Sequence, residues 1–354
     1  MEKTLKTRYS FAAMNTSEGF QSFFAEIFGS VPALYIIKGG PGTGKSRFMK
    51  EIGKRAEARG CSAEYFLCSS DPTSLDGVII TESDGKQFGI IDGTSPHAYE
   101  PTLAGVREHI LNFGDFWDPA ILDSRKKEIE ALTKAKKRLY SSFYSYLSAI
   151  KAIDGITLSV SSSATDTEKL NEAVQRLIRN VPNGSGYGET VRIRGAVSCD
   201  GVTILDTYGG VAHQCYAVSD TFLTAGLFMT ALKNELTAKK VAITVSYSPF
   251  SPTVPDAIYI PSTDTAFYIG CSGNEGEKTV NMRRFTVSER ISPYRAKLRE
   301  LGKLRKEALR LLASDGASIR ALHGEIERIY GEAMDFTKNE GLVQSFSEKI
   351  FTKT

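Results

Sequence analysis

Apolar residues recur along this chain in two rhythms. Short β-rich runs at residues 33–37, 63–67, 78–80 and 88–91 have the length and branching of strands. After the first run, Phe48, Met49, Ile52 and Ala56 fall near helical spacing, which predicts a helix over residues 47–59 stopped by Gly60. Strands alternating with helices predict an α/β domain around a parallel sheet. From residue 121 to 150 the period lengthens. Ile129, Leu132, Leu139, Phe143, Leu147 and Ile150 recur on one face with Lys and Arg between them, which predicts a long amphipathic helix. The Ser/Thr-rich stretch 159–167 reads as a loop and residues 171–179 as another helix. Farther on, Leu298, Leu301, Leu304 and Leu311, then Ile319, Leu322, Ile326, Ile329 and Ala333, predict two more amphipathic helices.

The pattern also repeats. Residues 71–80 (DPTSLDGVII) align without gaps with residues 251–260 (SPTVPDAIYI). Upstream, Glu18-Gly19 faces Asp200-Gly201 and Leu34-Tyr35 faces Cys215-Tyr216; downstream, Phe88 faces Phe267. One order and one offset of about 180 residues predict a whole-domain duplication. The PNGSGYG run at 182–188 reads as the linker. The expected domains are therefore residues 1–180, with a helical extension, and residues 191–354, a degenerate copy with a helical tail.

Between the first strand and its helix stands Gly39-Gly40-Pro41-Gly42-Thr43-Gly44-Lys45-Ser46, which fits G-x-x-x-x-G-K-S. Glycines let successive N–H groups turn inward on phosphate oxygens, and the helix that follows aims its positive end at the same place. In this reading residues Gly39 to Ser46, with Arg47 after them, bind the phosphates of a nucleoside triphosphate. Lys45 reaches the β- and γ-phosphates and Ser46 ligates Mg²⁺. The run Phe88 to Ile91 ends in Asp92, which reads either as the end of a Walker B strand, making Asp92 a metal ligand and catalytic-site carboxylate, or as a strand before an ordinary Asp-Gly turn. Asp71, after the second strand, is a candidate catalytic base. His97 is either a γ-phosphate sensor or a hydrogen-bonded loop histidine. In the second copy Lys45 maps to Ala225, Gly226 or Leu227, Asp71 to Ser251, and Asp92 to Cys271 or Ser272. Asp76 persists as Asp256 and so reads as a structural turn cap. Arg283 and Arg284 read either as surface arginines or as an arginine finger in cis.

Composition narrows the partners. The chain has 354 residues, 41% hydrophobic and 24% charged, with a net charge of +3. That charge is too mild to imply nucleic acid or an anionic membrane. The basic run Lys134, Lys136, Lys137 and Arg138 reads as a solvated helix face. Five cysteines (Cys61, Cys68, Cys199, Cys215, Cys271) include no C-x-x-C pair, which suits a reducing compartment. The four histidines show no zinc-type spacing. With no signal-like or membrane-spanning segment, a cytoplasmic protein is expected.

The segments YIIKGGPGTGKS, CSSDPTSLDGVII and IIDGTSPHAYEP, together with the helical tails, resemble a family of uncharacterised bacterial ATP-binding P-loop proteins with two related halves. The resemblance covers nearly the whole chain. It implies a duplicated P-loop NTPase fold, each half followed by amphipathic helices, with ATP and Mg²⁺ as cofactors. The expected activity is an ATPase that couples hydrolysis to a conformational change or to a protein partner. Two alternatives stand beside it: a small-molecule phosphotransferase, and a non-catalytic nucleotide-gated interaction protein.

Overall fold

The computed structural model describes residues 8–270 and 276–351. The first half comprises β1 (Arg8–Phe11), β2 (Ala13–Thr16), β3 (Gly19–Ser22), α1 (Phe24–Phe28), β4 (Ala33–Lys38), α2 (Lys45–Glu57), β5 (Ser62–Leu67), β6 (Leu75–Thr81), β7 (Gln87–Asp92), β8 (Glu108–Asn112), α3 (Pro119–Ser124), α4 (Lys126–Ser163) and α5 (Thr167–Leu177). The second half follows as β9 (Glu189–Val191), β10 (Gly195–Ser198), β11 (Gly201–Ile204), β12 (Gln214–Ser219), α6 (Ala225–Ala238), β13 (Ile243–Ser248), β14 (Ser251–Ile260), β15 (Thr265–Ile269), β16 (Lys278–Asn281), α7 (Ser288–Ile291), α8 (Arg295–Glu332) and α9 (Phe336–Phe351). Among the described residues no helix is long and apolar enough to cross a membrane.

The duplication is visible strand by strand. The first sheet runs β1-β5-β6-β7-β4-β8 and the second, read from its other edge, β9-β13-β14-β15-β12-β16. Each half adds a hairpin, β2–β3 or β10–β11, that turns on a glycine at matching positions, Gly19 and Gly201. Both sheets are mixed, and the expectation of a parallel sheet is corrected. β5, β6 and β7 follow one another without an intervening helix, the last two through a turn closed by Glu82 N–H to Lys86 carbonyl. Strands joined so directly must run antiparallel. The register also corrects one repeat match. Ile80 faces Phe88 as Ile260 faces Thr265, so Phe88 corresponds to Thr265 and not to Phe267. The offset between copies shrinks after β7 because the link from β15 to β16 is shorter than that from β7 to β8.

The long helices differ from expectation in two places. The serine stretch from 159 is helical as far as Ser163. Ser161, Ser162 and Ser163 turn their hydroxyls onto the carbonyls of Leu158, Ser159 and Val160, so the helix absorbs polar groups that otherwise favour turns. The two helices predicted between 298 and 333 are one, α8, which like α4 is 38 residues long. At a rise of 1.5 Å per residue each spans about 57 Å.

α4 and α8 lie antiparallel along their whole length. Arg125 pairs with Glu332 at one end and Asp154 with Arg305 toward the other, and Ser142 hydrogen-bonds Asp315 between them. Each helix therefore carries the chain from its own sheet to the other half. Leu170 and Val174 of α5 join the core of the second sheet with Phe228 and Met229. Val343 and Phe346 of α9 join the core of the first with Phe48, Ile52 and Phe113. Burying those two side chains contributes roughly 3–6 kcal/mol to the first half. A cut within the linker at 182–188 would part α5 from the sheet it covers.

The glycines of α8 separate propensity from packing. A Cβ on Gly316 would lie 2.6 Å from the Cys199 carbonyl oxygen and 2.9 Å from its Cα, whereas one on Gly324 meets nothing within 4 Å. Gly316→Ala is expected to destabilise by about 1–3 kcal/mol despite the better helix former. Gly324→Ala is expected to stabilise by up to about 1 kcal/mol. Urea unfolding of the two variants checks this; equal signs would show that α8 does not rest on the β10–β11 turn.

Candidate functional site

β4 is flanked by β7 and β8, both parallel to it, so the segment 39–44 leaves the carboxyl edge of three parallel strands. Gly42 and Gly44 adopt φ of 69° and 82°, values open to glycine at little cost. Gly44 caps α2 with backbone only, and no side chain accepts from the first turn of that helix. The second half closes the same place differently. There Asp220 Oδ1 accepts the Ala225 N–H at 3.0 Å, and Phe222 and Leu223 hold the positive φ angles. Phe228, Met229, Leu232 and Leu236 line α6 as Phe48, Met49, Ile52 and Ala56 line α2, which makes Ala225 the counterpart of Lys45.

The polar residues predicted from sequence gather here. Lys45 Nζ donates to the carbonyls of Gly39 (3.0 Å) and Gly40 (2.6 Å) and lies 3.5 Å from Asp92 Oδ2. Ser46 Oγ accepts the Leu75 N–H at 2.9 Å, and Asp92 Oδ1 accepts from both the amide and the hydroxyl of Thr94. Asp92 is paired with Ile37 as Ile269 is paired with Val218, so its counterpart is Ile269. Cys271 and Ser272, the counterparts expected from sequence, lie outside the described residues. Arg47 points away from the loop, is exposed, and pairs with Glu340 at 3.2 Å.

The loop is roofed by helices of the other half. Tyr330 of α8 and Trp117 stand over Gly40, and Asn339 of α9 donates to the Thr43 carbonyl at 3.0 Å. Glu327 of α8 packs its backbone over Gly42, and its carboxylate lies near enough to the Gly42 amide to be stabilised by it. Burial and the nearby Asp71 push the Glu327 carboxyl up, while the Gly42 amide, Lys45 and Lys136 pull it down. A carboxylate thus stands beside the loop where the sequence predicts a phosphate oxygen. A cleft of about 510 Å³ lined by Tyr35, His109, Leu342 and Phe346 lies between β8 and α9 and does not include the loop.

Beyond Glu327 the roof stays polar. Lys136 Nζ lies 3.2 Å from His323 Nδ1, and His323 Nε2 lies 3.7 Å from Glu327 Oε1. Lys136 therefore turns inward, which corrects its reading as part of a solvated face. Burial lowers its ammonium. At the other end of the helix pair, Arg305 and Asp154 occupy the matching positions and form a two-pronged ion pair. Asp71 accepts from the Thr73 amide and hydroxyl and pairs with Arg320 of α8 at 3.4 Å. Arg320 is shared with Asp200 at the tip of the second hairpin. Arg283 and Arg284 lie instead on an exposed 3-10 turn after β16, which contacts α5.

Asp76 is not a turn cap: it is buried within β6, where burial pushes its carboxyl up to about 6 against the charge of His97. His97 is buried too, with Nε2 3.1 Å from Asp76 Oδ2. Sequence reasoning missed Glu327, His323, Arg320 and Asn339. Aligning α4 with α8 would have exposed one signal, because Asp154 and Arg305 are replaced by His323 and Lys136 at the loop end.

No protein-family model matches this chain. No curated protein and no solved structure matches it either.

His323 supplies a pH test of the roof. Burial, with Lys136 and Lys45 adding like charge against Asp71, pushes it from 6.5 down to about 4. The unfolded chain takes up this proton near the ordinary value and the folded chain only near the lowered one. The stability held by neutral His323 is therefore full above pH 6.5 and lost as pH falls toward about 4. His323→Gln, which keeps an acceptor for Lys136, is expected to lose less stability over that window than the parent. Urea unfolding across the window measures it, and parallel curves would mean that His323 already charges freely in the folded state.

Proposed function

We propose that the chain binds MgATP on Gly39 to Ser46 and hydrolyses it, with α8 as the element that responds. The observation that carries this reading is the glycine loop at the start of a helix with no side-chain cap, with the Glu327 carboxylate set close to the Gly42 amide. Loop amides at such a helix start favour an anion, as phosphate recognition requires. The resemblance of YIIKGGPGTGKS to ATP-binding P-loop proteins supports the same conclusion. In this reading Lys45 leaves the Gly39 and Gly40 carbonyls for the β- and γ-phosphates, and Ser46 and Asp92 hold Mg²⁺. Lys136 of α4 and Arg320 of α8 are, in this reading, further cations available to the phosphates. The ion pair and Asx turn that hold Asp71 favour an organising role for it over that of a base.

Nucleotide and Glu327 then compete for one amide, so the binding-competent state is the one in which Glu327 has withdrawn. Lys45→Ala is expected to abolish MgATP binding in calorimetry while the fold persists; unchanged affinity would sink the assignment. Glu327→Ala is expected to raise MgATP affinity severalfold or more, and a drop would make Glu327 a nucleotide ligand instead of a competitor.

Asp92→Asn is expected to lower Mg²⁺-dependent phosphate release roughly tenfold or more while changing ATP affinity far less. Turnover at the parent rate would move the metal ligand elsewhere.

A further inference from the structure

Beside the loop, the first half holds a buried group of donors that the second half replaces. Asp76 in β6 is 4% exposed and His97, from the segment between β7 and β8, is 7% exposed. Cys68, the first residue after β5, completes the group: one donor atom from each of the three lies within 4.8 Å of the others. They satisfy one another only in part. Asp76 Oδ2 and His97 Nδ1 are buried without a hydrogen-bond partner, and the 3.1 Å approach of His97 Nε2 to that Oδ2 lacks hydrogen-bond alignment. Phe20 and Phe24 pack on the imidazole with ring centroids 5.0 and 5.2 Å away and hold it in place.

The second copy shows what this position needs. Asp256 occupies the place of Asp76 in β14 and is 8% exposed. Its charge is opposed by Arg194, not through a direct ion pair but at longer range: Asp256 Oδ1 and Arg194 Nε are both buried without a hydrogen-bond partner, and Arg194 donates to the Ile269 carbonyl at 3.3 Å and stacks 5.3 Å from the Tyr268 ring centre. A buried carboxylate there has a permanent cation in its neighbourhood. In the first copy the hairpin register puts Ala12 where Arg194 stands. Asp76 has instead a thiol and an imidazole, neither permanently charged and both metal donors. A buried carboxylate left without a cation is costly.

We propose that Cys68, Asp76 and His97 bind one divalent transition-metal ion, zinc being the cation that this donor set fits. Sulfur, nitrogen and carboxylate oxygen in one site select zinc or its neighbours over magnesium, which demands oxygen ligands. Three protein donors leave a fourth tetrahedral position for water or for an oxygen of a bound molecule. The ion supplies Asp76 with the positive charge that Arg194 supplies to Asp256. On binding, the Cys68 thiol becomes a thiolate and its proton leaves to solvent. The site is separate from the Ser46 and Asp92 pair, uses none of its residues, and does not rest on the nucleotide reading.

Cobalt(II) tests this on the full chain after chelator treatment. One equivalent is expected to bind with a thiolate-to-cobalt charge-transfer band and the intense visible bands of four-coordinate cobalt, and zinc is expected to displace it. Cys68→Ser is expected to remove the charge-transfer band, and His97→Ala to weaken binding at least about tenfold. Cobalt that binds without a thiolate band, a band that survives in Cys68→Ser, or the absence of stoichiometric binding to the unmodified chain would each overturn the proposal. The titration of the unmodified chain decides the matter even if a variant fails to fold.

Discussion

The antiparallel packing of α4 on α8 is the contact on which the rest of the structure depends. Each helix delivers the terminal helix of one half to the sheet of the other, and the crossing is pinned at both ends by backbone bonds. Asp118 N–H reaches the Ala333 carbonyl and Asp335 N–H the Phe116 carbonyl; Val287 N–H reaches the Ala164 carbonyl and Asp166 N–H the Phe285 carbonyl. The four bonds form two matching pairs, one for each copy. Neither sheet owns all the helices that cover it, so the two halves make a single packing unit although each has its own strand order.

Within this near-symmetric frame the two ends have diverged in charge. At the end toward the second sheet, Asp220 accepts the first amide of α6, Arg194 opposes the charge of Asp256, and Arg305 pairs with Asp154. At the other end the matching positions hold Gly40 and its loop neighbours, a metal-donor group, and the Lys136–His323 contact. The Arg305–Asp154 ion pair is exchanged for the Lys136–His323 contact, and Arg194 for the uncharged Ala12 beside the metal-donor group. Residual charge at a buried position is expensive, and in this fold it is concentrated around one loop.

Much of this was legible in the sequence, and the illegible remainder has physical reasons. Phe48, Met49, Ile52 and Ala56 located α2 because one sheet buries one helix face. The glycine loop could be read because its backbone geometry constrains residue type. Periodicity reports that a helix face is apolar but not which sheet covers it, so the exchange of α5 and α9 left no trace. Asp76 followed by Gly77 resembles a turn signal, yet β6 pairs on both sides with β5 and β7 and keeps it extended. Glu327, Lys136 and His323 look like ordinary charges on exposed helices, since only the meeting of α4, α8 and the loop turns them inward.

The exchange of helices also sets an order of events during synthesis. Phe346 contacts Tyr35 and Phe48 across the first sheet, with ring centroids 4.7 and 5.4 Å away. Those partners emerge from the ribosome long before residues 336–351 do. Until then the first core lacks two of its apolar side chains and the glycine loop lacks its roof. The first half therefore keeps this core face and its glycine loop uncovered for the whole interval of the second half's translation.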